Sequence, residues 1–175
     1  GRGQCLRQEA GYDCPGCRAL MLGAGGAARA CARALARSGL ASLSVAVREP
    51  SRADPLLEAI DGLPTAVTVV AFEETERTEP ELIVNATPLG VHGEALPLPR
   101  LRPGVTVVDL LYRPAETPLV RSAKEAGALA FGGLGLLLHQ AALSFELWTG
   151  RAAPLPVMSA AALAALSDRG PSAEG

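Results

Sequence analysis

The stretch that most constrains this chain is Arg18-Ala-Leu-Met-Leu-Gly-Ala-Gly-Gly-Ala-Ala-Arg29. Its apolar run over 19–22 reads as a buried strand. The run breaks at Gly23-Ala24-Gly25-Gly26, and residues 27–37 then have helical composition. A strand, a glycine turn and a helix in that order form the phosphate-binding start of a dinucleotide fold. Gly23 permits the tight turn, and Gly25 lets the backbone approach a pyrophosphate. The first helical N–H groups, near Gly26 and Ala27, point at the anion with the helix dipole behind them. Ala28 stands where a small residue allows close helix–strand packing. The alternative is a tight strand-to-helix turn that holds no ligand.

The rest of the chain supplies the sheet that such a turn needs. Gly39 closes the first helix. Residues 42–47 alternate and read as a second strand, 55–60 as a short helix, and 66–72, β-branched and apolar, as a third strand. Acidic 73–81 is a solvated loop or helical turn. Residues 82–84 are a fourth strand, proline-rich 91–103 is irregular, and 106–109 are a fifth strand. A helix over 117–126, a strand over 128–131, a long helix over 134–149 and a last helical piece at 160–166 complete the series. Strands alternating with helices imply an α/β fold, a doubly wound, Rossmann-like parallel sheet with a C-terminal helical segment. The expected organisation is one domain over 1–166, opened by a short helix at 4–10, and a disordered tail over 167–175.

Composition bounds the function. A chain of 175 residues, 49% apolar, buries one core well and two poorly. A net charge of −2 gives no electrostatic case for nucleic acid or an anionic membrane. The longest apolar stretch, 126–143, carries four glycines, His139 and Gln140, and makes a poor membrane span. No leader pattern opens the chain, and the cysteine usage suits a reducing, cytoplasmic compartment. Without an initiator Met, a fragment or processed product is expected. Cys14-Pro-Gly-Cys17 has redox or metal spacing, but a zinc site needs a second pair and only Cys5 and Cys31 remain. A thioredoxin-like pair follows a strand, whereas this one precedes it. No metal is expected.

The turn after the second strand selects the nucleotide. An acidic residue there binds a ribose 2′-hydroxyl. This chain reads Val47-Arg48-Glu49-Pro50-Ser51-Arg52, and two arginines four apart suit a 2′-phosphate. Glu49 either binds ribose or pairs with an arginine, and the bland alternative is a charged surface turn. Asn85 follows the fourth strand and Asp109 ends the fifth, at carboxyl ends that face the ligand crevice. An Asx turn and a helix or turn cap are the respective alternatives. Tyr112 and Gln140 offer hydrogen bonds to a hydroxylated acid, although Gln140 could equally bond the backbone. His139 reads as packing or surface.

Four blocks in order carry a family resemblance: Gly23-Ala-Gly-Gly-Ala-Ala-Arg29, Asn85-Ala-Thr-Pro-Leu-Gly90, Asp109-Leu-Leu-Tyr-Arg-Pro-Ala-Glu-Thr-Pro-Leu119 and Gly133-Leu-Gly-Leu-Leu-Leu-His-Gln-Ala-Ala142. The first is shared with many folds, but the other three are specific. Together they resemble the C-terminal, NADP-binding half of shikimate dehydrogenases. The resemblance implies reversible, NADP-dependent reduction of 3-dehydroshikimate to shikimate in aromatic amino-acid (chorismate) biosynthesis.

It also implies roles for single residues. Gly23, Ala24, Gly25, Gly26 and Ala27 hold the pyrophosphate, and Arg48 and Arg52 the 2′-phosphate. The family usually reads Asn-Arg-Thr where this chain has Val47-Arg48-Glu49. Asn85 and Thr87 match positions lining the cofactor cleft. Leu110 and Leu136 match apolar positions by the nicotinamide, and Gly133 a backbone contact to that ring. Tyr112 and Gln140 match side chains that reach the substrate's carboxylate and hydroxyls. The proton-transferring Lys and Asp, and a Ser/Thr-rich clamp, belong to a substrate domain preceding this one. Lys124, the only lysine, matches no catalytic position. The catalytic groups are therefore expected outside this chain, leaving it inactive alone. A quinate/shikimate dehydrogenase paralogue using NAD and a non-catalytic nucleotide-binding module are the other readings.

Overall fold

The computed structural model describes residues 15–92 and 94–168. Six strands form one parallel sheet: β1 (Arg18–Leu22), β2 (Ser42–Val47), β3 (Ala66–Ala71), β4 (Leu82–Asn85), β5 (Thr106–Asp109) and β6 (Leu129–Gly132). Their spatial order is β3-β2-β1-β4-β5-β6. The strand order reverses between β1 and β4, which places a topological switch point at their carboxyl ends. The doubly wound fold expected from the sequence is the one observed.

The strands read as apolar runs because both faces of the sheet are covered. Ala19 and Met21 of β1 pack on one face against Ala28, Ala32 and Leu35 of α1 (Gly26–Arg37) and Leu56 of α2 (Asp54–Ile60). Leu20 and Leu22 point the other way, against Ile83, Val107 and Leu119 and Ala123 of α3 (Pro118–Glu125). Among the described residues no helix covers the crossover from β4 to β5. Leu96, Leu98 and Leu101 of the proline-rich segment pack on that face instead. Gly132 leads directly into α4 (Gly133–Thr149), and α5 (Leu155–Asp168) follows.

One expectation needs correction. The last helix, of which 160–166 is part, runs from Leu155 to Asp168, so Ser167 and Asp168 are helical and not part of a disordered tail. Pro156 falls in its first turn, where a missing N–H has no helical partner to lose. Of the two readings of the acidic stretch after β3, the helical turn is present: a 3₁₀ helix, Phe72–Arg77, whose Thr75 is buried, with Oγ1 donating to the Phe72 carbonyl at 2.8 Å. The helix expected at 4–10, together with Cys5 and Cys14, lies outside the described residues, as does 169–175. Cys17 and Cys31 are half-buried against the α1–α2 face. Among the described residues no helix is long and apolar enough to cross a membrane, and no group of three or more His, Cys, Asp or Glu could hold a metal ion.

Candidate nucleotide-binding site

The turn from β1 to α1 shows why its glycines differ. Gly23 has φ +91°, and a Cβ there would stand 2.9 Å from the Thr87 methyl. Its N–H donates to the Ala46 carbonyl at 2.9 Å, so the strand ladder is held up to the turn itself. Gly25 has an ordinary φ of −69°, and a Cβ there would meet nothing within 4 Å. The fold demands glycine at 23 but only leaves room at 25. Gly25 is the N-cap of α1, without a side-chain cap and with no acidic residue in the first turn. The first N–H groups of α1, those of Gly26 and Ala27 included, therefore lack intrahelical partners, and the dipole is uncompensated there. The Arg29 guanidinium adds positive charge, 3.9 Å from where a Cβ on Gly26 would stand.

This turn opens onto a cleft of about 720 Å³ over the carboxyl ends of β1, β2 and β4. Gly23, Ala24 and Gly25 line one side, Arg48, Glu49, Ser51 and Arg52 another, and Thr87 a third. The Arg52 N–H donates to the Glu49 carbonyl at 3.0 Å, closing the turn, and the Arg52 Nε lies 3.8 Å from the Glu49 carboxylate. Of the two roles open to Glu49, the pairing with an arginine is present. Both side chains are largely exposed, so the pair is weak.

Asn85 is not among the cleft-lining residues. It is fully buried behind the cleft and positions Thr87. Its Oδ1 accepts from the Thr87 N–H at 3.1 Å and from the Thr87 hydroxyl at 2.7 Å, the Asx turn that was its alternative reading. Its Nδ2 donates to Asp109 Oδ1 at 3.2 Å. Asp109 also accepts from the Leu111 N–H at 3.1 Å and, on Oδ2, from the Thr117 hydroxyl at 2.7 Å. Thr117 then caps α3, its Oγ1 accepting from the Val120 N–H at 3.3 Å. Burial pushes the Asp109 carboxyl above its usual range, against the pull of the bonds from Thr117, Leu111 and Asn85.

A second group forms beside this network. A Cβ on Gly133 would collide with the Leu110 carbonyl oxygen and stand 2.7 Å from the Leu111 oxygen. The Gly133 N–H donates to that Leu111 oxygen at 3.0 Å. The fold thus brings Leu110 and Gly133 into direct contact. Tyr112 is half exposed, with the Arg113 guanidinium 5.8 Å from its ring centre. Leu136, His139 and Gln140 lie on α4, and their side chains fall outside those described. Sequence reasoning did not single out Ser51, Phe72, Ala86, Pro88 or Leu89, which also line the cleft. Phe72 directly follows the end of β3. The rule that ligands gather at the carboxyl ends of parallel strands was the signal that could have found it.

A parallel sheet in this order, with an uncapped glycine turn at its switch point and a basic turn after β2, defines the Rossmann class of nucleotide-binding folds. The family model of the shikimate 5′-dehydrogenase C-terminal domain matches residues 133–163. The NADP(+) shikimate dehydrogenase of Moorella thermoacetica is 46% identical over 160 residues, covering 86% of this chain and 54% of that protein. A shikimate 5-dehydrogenase of Listeria monocytogenes, solved with shikimate and NAD, superposes with a TM-score of 0.77 at 31% identity, over 90% of this chain and 59% of that one. One from Thermus thermophilus, solved with NADP(H) and shikimate, gives 0.71 at 37% identity, over 93% and 60%. The chain belongs to the shikimate dehydrogenase family and corresponds to its C-terminal domain. It spans about half the length of the curated relatives it matches.

Proposed function

We propose that this chain is the NADP(H)-binding part of a shikimate dehydrogenase, an oxidoreductase that interconverts 3-dehydroshikimate and shikimate in aromatic amino-acid biosynthesis. The carrying observation is that one cleft brings together the uncapped turn at Gly23–Gly25 and the arginines 48 and 52. The residues present fit the cofactor. The open space at Gly25 and the unpartnered N–H groups of α1 suit a pyrophosphate, and the two guanidiniums suit a 2′-phosphate.

When bound, NADP(H) supplies or accepts the hydride at the ring carbonyl. The chain's own residues bind and orient. Arg48 and Arg52 hold the 2′-phosphate, while Gly23 through Ala27 cradle the pyrophosphate. Thr87, held by Asn85, forms the wall opposite. By the family resemblance, Leu110, Leu136 and Gly133 border the nicotinamide, and Tyr112 and Gln140 reach the substrate. The same resemblance puts the proton-transferring Lys and Asp in the substrate domain. Cysteine usage suited to a reducing compartment supports a cytoplasmic setting. Glu49 favours a second reading, a quinate/shikimate dehydrogenase that uses NAD, since its carboxylate sits in the ribose-selecting turn.

Calorimetric titration tests the proposal. NADP⁺ is expected to bind more tightly than NAD⁺. Replacing Arg48 and Arg52 together by Ala should erase or reverse that preference and weaken NADP⁺ by at least about tenfold, about 1.4 kcal/mol. Equal affinity for the two nucleotides in the unmutated chain would defeat the arginine assignment.

A further inference from the structure

We infer that Glu49 is a specificity-determining residue that narrows the discrimination between a 2′-phosphorylated and a bare adenosine ribose, so that the cleft accepts NAD(H) beside NADP(H). The inference rests on the proposed function and concerns the same cleft. Glu49 stands between β2 and the 3₁₀ turn Pro50–Ala53, where Pro50 fixes the following backbone. It lines the cleft together with Arg48, Ser51 and Arg52. Its carboxylate is 3.8 Å from the Arg52 Nε, and the bond from the Arg52 N–H to its carbonyl, 3.0 Å, holds the two residues in one turn.

That placement acts on the two nucleotides in opposite directions. A 2′-phosphate carries close to two negative charges and offers only acceptor oxygens at neutral pH. To fork it, Arg52 must turn from the carboxylate, which then remains beside the arriving dianion as a like charge. A ribose 2′-hydroxyl is a donor, and a carboxylate accepts from it. One side chain thus weakens the phosphorylated ligand and strengthens the other. The ion pair is exposed, with 74% and 70% of the two side chains open to solvent, so separating it costs little. Arg52 stays available to phosphate. The expected result is a preference for NADP(H) that is compressed and not reversed.

Calorimetric titration of NADP⁺ and NAD⁺ into the unmutated chain and into Glu49→Gln tests this. The unmutated chain should bind both, with NADP⁺ favoured by less than about tenfold. Glu49→Gln removes the charge and keeps the shape. It should tighten NADP⁺ and weaken NAD⁺, widening the ratio by about tenfold or more. Glu58→Gln, which makes the same charge change on the exposed face of α2, should leave the ratio unmoved. A ratio that shifts by less than about threefold in Glu49→Gln, or equally in Glu58→Gln, overturns the inference alone. So does an unmutated chain that binds NADP⁺ without detectable NAD⁺. An unmutated chain that binds neither nucleotide overturns the proposed function, and the inference with it.

Discussion

Asn85 and Asp109 are register partners at the carboxyl ends of β4 and β5, and a 3.2 Å hydrogen bond from Asn85 Nδ2 to Asp109 Oδ1 joins them. Through that bond the wall carrying Thr87 and the loop carrying Leu110 and Tyr112 are fixed to one another. Asp109→Ala would leave the Leu111 N–H and the Thr117 hydroxyl without their acceptor, and the Asn85 Nδ2 with only its 3.4 Å bond to the Leu89 carbonyl. The expected loss of stability is about 2–4 kcal/mol. Urea denaturation followed by circular dichroism measures it, and a loss below about 1 kcal/mol would show that the network carries little.

The same carboxyl gives an unusual pH dependence. Burial raises the Asp109 pKa in the folded chain. Between the unfolded value, about 3.9, and the raised one, the folded state binds more protons than the unfolded state. The group's contribution to stability therefore falls as pH rises through that window. Glu116 runs the other way. Lys124 first, and Arg121 after it, hold its carboxyl below the usual range, so its contribution is present above the unfolded value and lost as pH falls through the folded one. In denaturation series from about pH 3 to 7, the stability advantage of the unmutated chain over Asp109→Asn should shrink as pH rises, and that over Glu116→Gln should grow. A flat Asp109 series would contradict the desolvation account.

Substitutions at glycines 25 and 133 should separate binding from folding. Gly25→Val puts a branched side chain into open space at an ordinary φ, so the domain should fold. NADP⁺ affinity should nevertheless drop at least about tenfold, because the backbone can no longer approach the pyrophosphate. Gly133→Ala places a methyl against the Leu110 and Leu111 carbonyls, which are backbone and cannot step aside. Here the expected loss is in stability, by about 2 kcal/mol or more. Titration and thermal denaturation of both variants check the pair, and unchanged NADP⁺ binding in Gly25→Val would mean that the dinucleotide sits elsewhere.

A polypeptide of these 175 residues should bind NADP⁺ and yet not turn over shikimate. The resemblance assigns the acid–base pair to another domain, and losing a placed general acid–base costs about a hundredfold to ten-thousandfold. Losing half the substrate-orienting groups adds a proximity penalty. Supplying the family's substrate domain, in trans or fused ahead of the chain, should restore activity read from the absorbance of the reduced cofactor. In that restored enzyme Gln140→Ala should weaken shikimate turnover and spare NADP⁺ affinity. Robust turnover by the 175 residues alone would redirect attention to Asp109, Lys124 and His139.

The sheet was legible because each strand is short, apolar and followed by punctuation. The bounds read for β2 and β5 from composition are those observed. The glycine turn was legible for the same reason. The apolar piece 160–166 was legible as helix, but its extension back to Leu155 passes through Pro156, which a helix admits only in its first turn. Asn85 was assigned to the cleft wall because it follows a strand. Its burial depends on Asp109 standing opposite, a pairing that joins residues on different strands and leaves no mark in local sequence. The Asx turn read as the alternative for Asn85 is present, and Asp109 caps the turn after β5 by accepting from the Leu111 N–H, while the helix cap beside it is Thr117.

The strand order has a consequence for the order of assembly. Residues 18–71 supply β3, β2 and β1 with α1 and α2, one contiguous wing built from neighbours in sequence. The other wing comes entirely from residues beyond, and within the sheet the two are joined where β1 pairs with β4, Ala19 beside Leu82. A chain emerging from the ribosome can therefore complete the first wing while β1 still has one bare edge. That edge is closed by the longest-range pairing of the sheet, and closing a long loop is slow in parallel topologies. The cleft proposed for the nucleotide takes Gly23–Gly25 and Arg48–Arg52 from the first wing and its Thr87 wall from the second, so it gains its second wall only when the two wings join.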